Sequence, residues 1–170
     1  TLFFLSQVVL MANGQRRNHR TWGLLGISLA TAMLFTGLAV AIQGLEARLD
    51  AGYGDAARAF SIVPISGILL FAGLVTAAIS NLKRPEWHKR LMLVATAGIL
   101  QAAVARFFFL AATGGGGPGM RPGGGPPMPV ENTIVAGFIV ASLVVAAMIH
   151  DWRSHGRVHP AYWWGFGAMM

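Results

Sequence analysis

The chain has 170 residues, of which 55% are hydrophobic and 11% charged. A soluble domain carries about a quarter charged residues, so this much apolar surface cannot be buried in a core of this size and needs a bilayer as its solvent. The net charge of +7 comes from 13 Lys and Arg against 6 Asp and Glu, and there is no cysteine, which excludes disulfides, thiolate metal sites and cysteine nucleophiles.

Residues 1–12 (TLFFLSQVVLMA) are apolar. They are too few to cross a membrane as a helix, and no basic segment precedes them as in a signal peptide. They read as a partial span. No charge falls between Arg20 and Glu46, and residues 21–43 form the first complete span. Residues 44–60 (GLEARLDAGYGDAARAF within it) read as a connection carrying a short helix on the membrane surface. Residues 61–81 form the second span. The segment Lys83-Arg84-Pro85-Glu86-Trp87-His88 is a tight turn that makes spans two and three an antiparallel hairpin.

Residues 91–112 form the third span, interrupted only by Arg106. Residues 113–129 hold eight Gly and five Pro, a composition that reads as a flexible loop without packed structure. Residues 132–149 form the fourth span. Residues 150–170 read as a polar tail ending in an apolar segment (WWGFGAMM) that starts a further helix. At about 1.5 Å per residue each complete span reaches across a core of about 30 Å. Backbone groups in lipid must be satisfied within the segment, so runs of this length are helices and not barrel strands. The fold class is an all-α transmembrane bundle with four complete spans and a partial N-terminal one, in a single membrane domain over 1–170.

The charges now acquire a side. Arg16, Arg17, Arg20, Lys83, Arg84, Lys89, Arg90, Arg153 and Arg157 fall at one end of the spans, and Arg48, Arg58 and Arg121 at the other. This bias makes the first end cytoplasmic and places the protein in a bacterial inner membrane. Anionic lipid headgroups are the partner implied by the charge, not nucleic acid. All five tryptophans (Trp22, Trp87, Trp152, Trp163, Trp164) lie at the same end. A belt on one side only reads as a docking surface for other membrane subunits.

All five histidines share that end. His19 opens span one, His88 opens span three and His150 closes span four, so three helices bring histidines to one membrane level. Facing helices of a bundle are a usual place for a haem or quinone site; the alternative is histidines resting at the headgroup boundary. His19 shares a helix face with Gly23, Gly26, Ala30 and Gly37. Small side chains there allow close approach of another backbone or of a flat macrocycle. His155 and His159 stand four apart, a metal-binding spacing on a helix, although Gly156 and Pro160 interrupt it.

Arg106 shares a face with His88 but lies about 27 Å further along the helix. A charge inside a span faces the bundle, a cavity or the boundary, and Glu131 is its candidate partner. No catalytic residue is identified: there are no paired carboxylates on a helix and no phosphate-binding loop ahead of one.

The segments NHRTWGLLGISLA, PEWHKRLMLVATAGILQAAVARFF and DWRSHGRVHPAYWWG together resemble a group of uncharacterised bacterial multi-spanning membrane proteins, over about residues 18–165. More distantly, the helix-start histidines resemble four-helix membrane b-type cytochromes, in which histidines on facing helices ligate haem. That resemblance implies haem b held by His19, His88 and His150. Three functions follow as expectations: a structural subunit of a respiratory or photosynthetic type of membrane complex, a small haem b protein, or a transporter with a pore lined by Arg106 and Gln101.

Overall fold

The computed structural model describes residues 1–113, 125–127 and 130–168. They form six helices: α1 (Leu2–Ala12), α2 (Arg16–Asp50), α3 (Gly54–Ser80), α4 (Pro85–Thr113), α5 (Val130–His155) and α6 (Pro160–Gly167). No strand occurs among the described residues. α2 to α5 are each long and apolar enough to cross a bilayer, and α1 is a shorter apolar helix. The chain is an all-α polytopic membrane bundle. The Gly/Pro loop expected over 113–129 lies mostly outside the described residues.

The connection between the first two spans is shorter than its sequence implies. α2 continues to Asp50 and α3 already begins at Gly54, so the expected surface helix is divided between the two spans. Leu45 to Leu49 contains no helix breaker, and the helix continues. Gly52 and Gly54 then reverse the chain with φ of +87° and +49°, a backbone conformation open to glycine and costly for other residues.

Neighbours in sequence are neighbours in space: α2 packs on α1 and α3, α3 on α4, and α4 on α5 and α6. The core lies among α3 to α6. Phe71, Leu74 and Ala78 of α3 meet Leu91 and Val94 of α4, Val140 and Val144 of α5, and Tyr162 of α6. α2 stands at the edge. Only 6% of its most apolar window is buried, against 28% in α3, so Leu24, Phe35 and Ile42 stay on the outside. In water such a face would be untenable; in lipid it costs nothing.

At the basic end the core is closed by an ion pair. Arg90, in the second turn of α4, is 3% exposed. Its Nε donates to Asp151 Oδ2 of α5 at 2.7 Å, and its Nη2 lies 2.7 Å from the same oxygen. Its Nη1 donates to the Glu86 carbonyl at 2.8 Å and to the Glu86 carboxylate. The guanidinium sits 5.8 Å from the Tyr162 ring centroid on α6, within cation–π range. One side chain thus joins three helices.

α6 is seated on this end. Pro160 occupies its first turn, where a missing N–H costs nothing. The Ala161 N–H donates to His159 Nδ1 at 3.2 Å, which caps the helix. A Cβ on Gly165 would lie 3.1 Å from Val94, so glycine there lets α6 press onto α4. The His159 ring meets Trp87 edge to face at 5.2 Å.

Two outcomes are expected. Asp151→Leu alone should lower stability by up to about 3–5 kcal/mol, because it leaves the buried guanidinium with only the half-exposed Glu86 carboxylate. The double variant Arg90→Leu/Asp151→Leu should cost less than Asp151→Leu, since no charge is left unpaired; denaturation in detergent micelles measures both. The second concerns pH. Burial, and then the Arg90 charge, hold the His159 imidazole below its ordinary value of 6.5. A histidine depressed in the folded state contributes stability that is complete above the unfolded value and lost as pH falls through the folded one. α6 should therefore loosen on acidification. In His159→Asn, which caps without titrating, tryptophan fluorescence should no longer change over that window.

Candidate functional site

α2 and α4 both start at the basic end and run in the same direction, with α3 returning between them. A side chain in the first turn of α2 therefore stands level with one in the first turn of α4. His19 and His88 occupy these positions. Their ring centroids are 6.4 Å apart, with planes at 82°. α3 supplies the third element. The His88 Nδ1–H donates to the carbonyl of Ala78, in the last turn of α3, at 2.9 Å. That bond fixes the tautomer and leaves the Nε2 lone pair of His88 available, the arrangement by which proteins orient a ligating or hydrogen-bonding histidine.

α1 supplies the fourth. The main chain of Gln7 lies beside the His19 ring, and His19 Nδ1 is buried without a hydrogen-bond partner. The side chain of Gln7 is only 9% exposed, yet neither its Nε2 nor its Oε1 has a partner. Buried polar groups without partners cost about 1–3 kcal/mol each, so three such atoms on two neighbouring residues call for a function. Gln7 was not among the residues singled out by sequence. The signal was there: it is the one amide in a largely apolar segment of twelve residues.

His150 is exposed near the end of α5. Among the described residues no group of three or more His, Cys, Asp or Glu is placed to hold a metal ion. His155 ends α5 and His159 precedes α6, with Gly156 at φ +70° between them. They do not share a helix face. His155 instead faces Asp151 at 3.8 Å, and His159 Nδ1 is used as the α6 cap.

The small-residue face of α2 is largely filled by protein. A Cβ on Gly26 would lie 2.7 Å from the Phe3 ring of α1, and one on Gly37 would lie 3.0 Å from Ile68 of α3. Ala30 packs against the core. Gly23 alone has nothing within 4 Å of where its Cβ would be. A porphyrin laid along this face would have to displace Phe3 and Ile68, so the residues present do not fit haem there. Beside Gly23, one turn above His19, the space is open.

Arg106 is far from this region. It is exposed on α4 beside a shallow groove lined by Ile99, Ala102, Ala103, Phe107 and Leu110. The side chain of Glu131 lies outside the described residues. Gln101 Nε2 reaches the Thr133 carbonyl of α5 at 3.5 Å. Of the tryptophans, Trp87 is partly buried against the core, whereas Trp22, Trp152, Trp163 and Trp164 are exposed at the basic end.

No protein-family model, curated protein or solved structure matches the chain.

Proposed function

We propose that the chain is an integral membrane component of a redox or energy-converting assembly, and that the His19–His88 pair is where its redox group docks. The observation that carries this reading is the meeting of two histidines from different spans, one with its tautomer set by Ala78 and a free Nε2. A histidine resting at a headgroup boundary needs no such partner. Imidazole suits redox chemistry in a membrane because it ligates metals, donates and accepts hydrogen bonds, and exchanges protons near neutral pH. The excess of basic residues at this end supports a cytoplasmic side for it under the positive-inside rule. The exposed Trp163 and Trp164 beside α6 give that side amphipathic rings suited to contact with other subunits.

The test is chemical. Protein purified in mild detergent is extracted with organic solvent, and the extract is assayed for haem and for quinone. The wild type should release a redox-active group in stoichiometric amount. His88→Ala, if it elutes and melts as the wild type does, should retain roughly tenfold less, the usual weight of a lost ligand-orienting contact. An extract with no redox-active group, or with equal amounts from both proteins, overturns the proposal.

A further inference from the structure

We infer that Gln7, His19 and His88 form the headgroup site of a lipid-soluble quinone. The inference rests on the reading that the histidine pair docks a redox group, and it names that group.

The first argument is charge. The three side chains carry no carboxylate and no guanidinium. The nearest buried charges, Arg90 and Asp151, are already satisfied by each other. The cation that acts on His19 is Arg20, exposed beside it in the chain, so an anion would be held at the surface and not among the buried atoms, and a metal ion would find no third ligand among the described residues. An uncharged polar head is the ligand class that remains.

The second argument is the inventory of donors and acceptors. Gln7 offers a donor at Nε2 and an acceptor at Oε1, both buried and unpartnered. His19 offers an unpartnered Nδ1, and His88 a free Nε2 beyond its bond to Ala78. A quinone carbonyl accepts, and a quinol hydroxyl donates. A carboxamide has one end for each state. His88, with its proton held on Nδ1 by Ala78, can only accept at Nε2, whereas the neutral His19 ring can switch roles by exchanging its tautomer. The set therefore serves both redox states without moving a charge into the membrane.

The third argument is access and size. α2 is the edge helix of the bundle and is open to lipid over most of its apolar window. The open space beside Gly23 adjoins His19 and is not filled by Phe3, as the space at Gly26 is. A single planar ring can approach a glycine backbone there, with its isoprenoid chain left in the lipid beside α2.

The experiment is titration of the full chain, in detergent or nanodiscs, with decylubiquinone, followed by quenching of tryptophan fluorescence. Trp22 and Trp87 stand one turn above His19 and one residue before His88, close enough to report. Saturable quenching is expected in the wild type. Gln7→Leu should bind about tenfold more weakly, the weight of one good hydrogen bond. It should also melt at a higher temperature, because it removes a buried unsatisfied amide. That pairing separates loss of ligand from loss of fold. Equal quenching of the wild type and Gln7→Leu, or quenching that never saturates, overturns the quinone site. If haem is extracted in stoichiometric amount and is lost from His88→Ala while decylubiquinone fails to bind, the docking reading stands and the quinone falls. If neither group is found, both fall.

Discussion

The Arg90 guanidinium lies where α4, α5 and α6 come together, almost wholly removed from solvent, and its hydrogen bonds set how those helices meet. A buried pair of this kind adds little net stability over apolar packing, because desolvation offsets the attraction. What it adds is selectivity. A guanidinium with Asp151 on one side and Glu86 on the other can be satisfied at one register of α4 against α5, and a slip of a single residue would leave a charge unpaired in a dry interior. The apolar contacts of Val94, Val140 and Val144 tolerate such a slip far better, since methyl groups carry no direction.

This anchor reaches the candidate site through one short stretch of chain. His88 lies two residues before Arg90 on the same helix, so the register that satisfies Arg90 also holds the His88 ring against the last turn of α3. The Ala78 carbonyl completes the placement. α2 and α1 have no comparable anchor. They lie at the margin of the bundle, joined to it by close packing at Gly26 and Gly37. One wall of the site is tied to the core through His88 and Ala78, and the other stands at the outer margin of the bundle.

The sequence made the spans legible, because a charge-free run of twenty residues has one stable home in a bilayer. It also put His19, His88 and His150 at one membrane level, and of these the structure brings His19 and His88 together and leaves His150 exposed on α5. It read the small face of α2 as suited to either a macrocycle or a packed helix, and the structure seats Phe3 and Ile68 there. It read the spacing of His155 and His159 as that of a metal pair interrupted by Gly156 and Pro160, and the break at Gly156 puts the two to separate uses. Gln7 passed unnoticed because a lone amide in an apolar run carries no periodicity of its own.

Hydropathy and charge along the chain thus determined the class, the number of spans and the end at which the chemistry collects, because each depends on transfer of a local segment between water and lipid. Which histidines meet, which polar atoms stay unpartnered and which glycines are filled were decided only by the tertiary structure. Those outcomes depend on the rotation of each helix about its axis, and that rotation is set by directional contacts such as Arg90 with Asp151 between residues 61 apart in the chain.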